Sequence, residues 1–255
     1  MKYLLSLVLC LVSHQMVYAK SAAQKGHAVA KKVEKFNNGF KGDTSEMEMI
    51  LINANGDKVT RKLESKVKEM KKDGDKGLMT FLWPADVKGT KMLTWAHKDQ
   101  NDDQWIYLPA LKRVKRITSS SKTGSFMGSE FSYEDLGSQE VEKYTYKLLK
   151  ETTYKKRKVW ILERVPKDKD SGYSRQVVWI DKKYMGPVRI EYFDRKNEKL
   201  KTAVFTKFKK IKRWWRSLNV EIENHQTKKK SIMIWKNLKL GVNLNPRDFD
   251  KDNLK

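Results

Sequence analysis

The chain is poor in the residues on which site chemistry usually rests. It has one cysteine, Cys10, and four histidines in 255 residues. A lone cysteine rules out an internal disulfide framework, a redox pair and a thiolate zinc site. His27, His97 and His225 lie far apart, and no H-E-x-x-H sets two imidazoles on one helical face. The G-x-S-x-G elbow of serine hydrolases is missing. "GSFMGSEF" holds two glycines four apart but lacks the Gly-Lys-Ser/Thr that completes a phosphate loop. Serines 119 to 121, Ser125 and Ser129 have no obvious histidine partner, and the adjacent pairs Asp102–Asp103 and Glu134–Asp135 would point to opposite faces of a strand. The chain therefore reads as non-enzymatic, with no cofactor and no metal expected.

Acidic residues are also short. There are 31 Asp and Glu against 55 Lys and Arg, a net charge of +24. Such an excess favours anionic partners. Long apolar runs are absent after the first nineteen residues. "MKYLLSLVLCLVSHQMVYA" has one charge, at Lys2, then an apolar stretch from Tyr3, with Val17 and Ala19 at the positions of a small-residue cleavage site. This reads as a secretory signal peptide cleaved after Ala19, too short to span a bilayer. Leu9 before Cys10 argues against a lipid-acceptor cysteine. Cleavage would remove the only thiol, so the exported chain must be stabilised by packing alone. Periplasmic residence follows, and it makes nucleic acid an unexpected partner. Peripheral membrane contact and a monomeric state are expected.

What is present is mostly period two. "SAAQKGHAVAKKVEKFNNGF" predicts one helix, with Ala28, Val29, Val33 and Phe36 near one face and "NNG" at its end. After it, alternating segments are punctuated by turns: "SEMEMILI", then Asn-Gly at 55–56, "KVTRKLESKVKEM", "KGLMTFLW", "GTKMLTWAH" and "QWIYLP". The second half repeats the habit from "YTYKLLKETTY" to "SIMIWKNLKL". About ten or eleven strands in sequential hairpins point to an antiparallel barrel or sandwich. No linker or longer repeat divides the chain, so residues 20–255 read as a single domain. Lysine clusters fall mostly at the turns, 71–72, 155–158, 182–183 and 228–230, where charge also blunts strand edges. "KKIKRWWR" at 209–216 mixes bases with two tryptophans, a mixture suited to a membrane interface or to single strands of nucleic acid.

Residues 105–136 are the least ordinary. Trp105 and Tyr107 share one face of "QWIYLP", Ile106 and Leu108 the other, and both faces are apolar, which implies cover on both sides. "LKRVKRI" is ambiguous between a helical turn and a strand, with Pro109 favouring a turn followed by a strand. Phe126 and Met127, flanked by glycines, either tuck into the core or tip a mobile flap over an apolar cavity. Methionines crowd the first half and suit either core filling or a wall that adapts to acyl chains.

"MILINANGDKVTR", "FLWPADVKGTKMLTW", "QWIYLPALKRVKRI" and "GSFMGSEFSYEDL", with "VVWIDKKYMGPVRIEYFD" in support, together resemble the outer-membrane lipoprotein-sorting proteins, relatives of the periplasmic carrier LolA. The resemblance implies a mainly β fold, a half-open antiparallel barrel of about eleven strands with helices at its mouth. It also implies carriage of lipid or lipoprotein acyl chains without chemistry, and an RND-type export permease as partner. On that expectation Met47, Met49, Leu51, Trp105 and Tyr107 form the cavity wall, Phe81 and Trp83 extend it, and Phe126, Met127 and Phe131 form the flap. Two other readings remain: a protein-binding accessory of a permease without lipid cargo, and a polyanion-binding module.

Overall fold

Ser21 starts the one α-helix among the described residues, α1 (Ala22–Asn37). Its hydroxyl accepts from the backbone of Gln24, whose side chain accepts from the backbone of Ser21, a reciprocal capping box. The computed structural model describes residues 20–255; the expected signal peptide, with Cys10 and the cleavage after Ala19, lies outside the described residues. The buried face of α1 is Gly26, Val29 and Ala30, with Val33 and Phe36 packed beside them. Ala28, expected on that face, is exposed, because the inner stripe runs one step along to Ala30.

Every strand then joins one sheet. The N-terminal strands are β1 (Gly42–Ile52), β2 (Lys58–Lys68), β3 (Lys76–Trp83), β4 (Lys91–Trp95), β5 (Asp103–Leu108) and β6 (Arg113–Ile117). The C-terminal strands are β7 (Tyr144–Tyr154), β8 (Arg157–Pro166), β9 (Tyr173–Asp181), β10 (Gly186–Asp194), β11 (Lys199–Ile211), β12 (Trp214–Asn224) and β13 (Lys230–Leu240). The order is β6-β5-β4-β3-β2-β1-β13-β12-β11-β10-β9-β8-β7. The described residues thus form thirteen antiparallel strands. One addition to the expected number is β6, where a single turn over Pro109–Leu111 gives way to a strand paired with β5.

Two arms, β1–β6 and β7–β13, meet where β1 pairs with β13. One continuous core takes Met49, Phe81, Met92 and Ile106 from the first arm and Leu162, Ile180, Ile190 and Ile222 from the second. Strands so far apart in the order can share a core only if the sheet curls, so it is a trough with β6 and β7 as unpaired edges: a half-open barrel. The chain must travel from one edge to the other between β6 and β7. Residues 118–143 make that crossing on the inner side, which explains why so long a loop buries Phe126, Phe131 and Val141.

The outer face has its own cover. Leu93 and Trp105 pack under the C-terminal tail against Phe249 and Leu254. On the second arm, Val159, Ile161, Val177 and Val188 form a smaller outer cluster beneath Trp179 and Phe208.

Candidate functional site

Between α1 and the inner sheet lies a cavity of about 600 Å³, a size typical of sites for small organic ligands. Val33 of α1, Val178 and Ile180 of β9, Ile190 of β10 and Met79 of β3 supply apolar lining, and residues 135–141 of the crossing loop line it as well. Alternation on β9 and β10 turns these aliphatic side chains inward, while the intervening positions face outward.

One part of the lining is polar. Asp75 and Glu140 both contribute, as does Arg164, which donates to Gln176 at 2.7 Å and to Gln139 at 2.6 Å. Burial pushes Asp75 up to about 6, against a hydrogen bond from the Met70 backbone that lowers it. Burial also raises Glu140, with Asp75 and Glu34 adding to the shift. Asp43, nearby on β1, is pushed up to about 7 by burial, offset by Arg216 and reinforced by Asp75. A mixed-charge groove of about 560 Å³ lies beyond Gly137 and Ser138, which border both spaces. There Lys122 pairs with Asp168 and Lys143 with Asp102. Asp102 also accepts from the Ser138 backbone at 2.6 Å, fixing the partition between groove and cavity.

The crossing loop is a plug rather than a free flap. Phe126 is fully buried, 5.7 Å from both Phe81 and Tyr133 between ring centroids. Asp135 pairs with buried Lys201 at 2.5 Å and accepts from the Tyr173 hydroxyl at 2.8 Å. Lys201 also donates to the Glu130 carbonyl at 2.9 Å. At the tip Met127 takes a left-handed φ of 50°, uncommon for a side chain of its size. Its carbonyl accepts from Arg61, whose Nε has no partner among the described residues.

Against this geometry the ten residues expected to bind lipid divide into groups. Met47, Met49, Phe81, Phe126 and Phe131 are buried in the central core, with Leu51 and Met127 packed on it. Trp83 ends β3 with 51% of its surface exposed. Trp105 and Tyr107 lie on the outer face under the tail, which corrects their expected inward orientation. Their neighbours Ile106 and Leu108 face inward instead. None of the ten lines the open cavity. The lining that was missed, Val178, Ile180 and Ile190, was visible in the sequence as alternation in "VVWID" and "VRIEYFD" without a sign that it faced empty space.

No curated protein matches the chain. A family model described as "Uncharacterized protein" matches residues 73–255. Among solved structures, an outer membrane lipoprotein-sorting protein domain from Vibrio parahaemolyticus is similar at 44% identity and a TM-score of 0.89, over 91% of this chain and 99% of that one. The chain belongs to the outer-membrane lipoprotein-sorting protein family. A second similar structure, a DUF1329 family protein from Desulfovibrio piger, is 33% identical with a TM-score of 0.88, covering 92% of this chain and all of that one. A LolA superfamily protein from Nitrosomonas europaea shares the fold at 16% identity and a TM-score of 0.71, over 92% and 99% of the two chains. The lipoprotein-sorting family thus builds its LolA-like open barrel here, among the described residues, from thirteen strands and one α-helix.

Proposed function

We propose that residues 20–255 act as one periplasmic, non-enzymatic carrier domain that holds an acyl chain of a lipid or lipid-modified protein between α1 and the inner sheet. The observation that carries this reading is the apolar cavity of about 600 Å³ in a member of the lipoprotein-sorting family. Burial is worth about 0.8 kcal/mol per methylene, so a dozen would give roughly 10 kcal/mol before the costs of association. The cavity accounts for a short chain as it stands. A longer one would need Phe126, Met127 and Phe131 to withdraw, which would expose Met47, Met49, Leu51 and Phe81 as fresh wall. The Arg61 bond to the Met127 carbonyl resists that movement. Trp105 and Tyr107 have no place in this pathway, nor does Trp83, which ends β3 exposed outside the cavity. The expected leader and the sorting role named for the Vibrio relative support a periplasmic setting, and the resemblance extends the proposal to an RND-type permease as docking partner.

Native mass spectrometry of protein purified from the periplasm, with lipid analysis of an organic extract, is the test. Stoichiometric lipid or acylated peptide is expected, and Ile190→Trp, which fills the cavity, should lose it. A clean unliganded mass, with no uptake of a fluorescent fatty acid, would overturn the carrier reading in favour of a protein-binding accessory.

A further inference from the structure

Antiparallel hairpins alternate ends, so the β7–β8, β9–β10 and β11–β12 turns emerge side by side at one end of the sheet. The first presents Lys155, Lys156 and Lys158 to solvent. The second presents Lys183. The third presents Lys209, Lys210, Lys212 and Arg213. The carboxylates in these segments are already taken: Asp181 pairs with Arg157 at 3.4 Å and Glu151 with Lys182. Strands lie about 4.8 Å apart, so successive turns are roughly 10 Å apart, close to the Debye length at physiological salt. The three clusters therefore act on an approaching surface as one field.

Aromatic side chains are set among these bases. Tyr184 lies 4.4 Å from the Phe208 ring and 4.6 Å from that of Trp215, with Arg157 over Tyr184 at 4.5 Å and Lys183 over Trp215 at 5.8 Å. Trp215 and Tyr184 are only partly buried. Amphipathic rings among bases suit the headgroup layer of a bilayer, where the ring is half dehydrated and the charge meets phosphate. The other half of the same end differs: the β2–β3 and β4–β5 turns carry Glu69, Asp73, Asp75, Asp99 and Asp102 against Lys71, Lys72 and Lys98. The end is thus polarised, and only its β7–β12 side is cationic.

We propose that the β7–β8, β9–β10 and β11–β12 hairpin ends form a docking surface for an anionic phospholipid bilayer. The same end holds one edge of the cavity. Asn37 and Asn38 line it, Asn37 donates to the Met185 carbonyl at 2.7 Å, and Arg213 donates to the Asn38 carbonyl. A docked molecule would therefore hold that cavity edge beside the bilayer, a consequence that rests on the carrier reading, whereas docking itself does not.

Lys155 and Lys156 both have positive φ, 44° and 64°, the backbone of a hairpin turn that favours Asn-Gly. K155N/K156G therefore suits the fold while removing two charges. K112N/K228N is its matched control: both lysines also have positive φ, 49° and 62°, and both sit on turns at the opposite end. Co-sedimentation at physiological salt would use vesicles of equal phosphatidylglycerol and phosphatidylcholine, with pure phosphatidylcholine for comparison. Binding to the anionic vesicles alone is expected. K155N/K156G should weaken it roughly 30-fold, from the usual contribution of a base near an anionic membrane, and K112N/K228N should leave it unchanged. Absent binding, equal binding to neutral vesicles, equal loss in both variants, or tighter binding to a short DNA duplex would each overturn the proposal. Bound lipid in the purified protein is read separately, so failure of docking and failure of the cavity reading remain distinguishable.

Discussion

Asp43 stands where the inner sheet crowds carboxylates together, and its proton is coupled to folding. Its folded value of about 7 lies above the ordinary carboxylate range because burial outweighs the attraction of Arg216. Between roughly pH 4 and 7 the unfolded chain has lost this proton and the folded chain keeps it, so stability falls as pH rises through that window and levels off above it. Asp75, at about 6, acts in the same direction. So does His97: burial lowers it, but hydrogen bonds to Asp73 and Asp103 prevail and raise it. Its contribution is full below the unfolded value near 6.5 and is lost as pH rises through the folded one. The urea midpoint should therefore drop between pH 5 and pH 8. Asp43→Asn should flatten much of that drop, melting like the parent at pH 4 and later than it at pH 8. Parallel curves for the two proteins would show that Asp43 is not the group responsible. Sequence legibility at this scale stopped at parity. Alternation put Trp105 and Tyr107 on one face and Ile106 and Leu108 on the other, but with both faces apolar nothing local said which turned inward. A distant segment decides it, since Phe249 and Leu254 cover the tryptophan side.

At the scale of elements, the helix and most hairpins were readable because each depends on neighbours in sequence: the apolar stripe and closing Asn-Asn-Gly of α1, Asn-Gly at 55–56, and the alternation of β9 and β10. What was not readable depends on where an element lands. The methionines of β1 drew attention to the first arm, yet Met47 and Met49 are buried in the core that also takes Phe126 and Phe131 of the crossing loop, and the open space lies by α1 and the second arm. The crossing loop could not be recognised as a plug before β1 was known to pair with β13, because that pairing makes β6 and β7 opposite edges. How α1 docks turns on one residue. A Cβ added to Gly26 would lie 2.8 Å from the Leu148 nitrogen and from the Lys147 carbonyl carbon, both backbone atoms of β7. Helix propensity alone would make Gly26→Ala stabilising by about 1 kcal/mol. The clash should reverse the sign, since overpacking typically costs about 1–3 kcal/mol and a strand backbone gives way poorly. A lower urea midpoint with α1 displaced is expected, together with altered uptake of a fluorescent fatty acid because Ala30 and Val33 line the cavity. A more stable Gly26→Ala would mean that α1 is not held against β7 as closely as the geometry indicates.

For the molecule as a whole, the central ladder joins β1 to β13, so the two arms can be united into one sheet only after β13 has been made. Local hairpins can form early, but the β1–β13 seam and the shared core must come late, and folding in milliseconds to seconds is expected of so non-local a topology. The last residues then fasten the finished first arm from outside. Lys66 pairs with Asp248 at 3.0 Å, Lys68 donates to the Leu244 carbonyl at 3.0 Å, and the Trp95 indole donates to the Phe249 carbonyl at 2.7 Å. Beneath these bonds Phe249 and Leu254 are almost wholly buried on Leu93, with Trp95 and Trp105 packed alongside. Two such side chains bury roughly 1.5–3 kcal/mol each, a large share of the about 5–15 kcal/mol that separates most folded domains from their unfolded chains. Ending the chain after Asn243 should lower the melting temperature markedly and shift tryptophan emission to the red as Trp95 and Trp105 meet water. Phe249→Ala, which keeps the tail but empties its anchor, should cost about 3–5 kcal/mol and produce a smaller red shift. The cavity lies on the inner side, so whichever of the two proteins still folds should take up a fluorescent fatty acid as the full chain does. Unchanged melting and emission in both would show that the tail merely rests on the sheet; lost uptake with melting unchanged would show that the outer face governs the inner one.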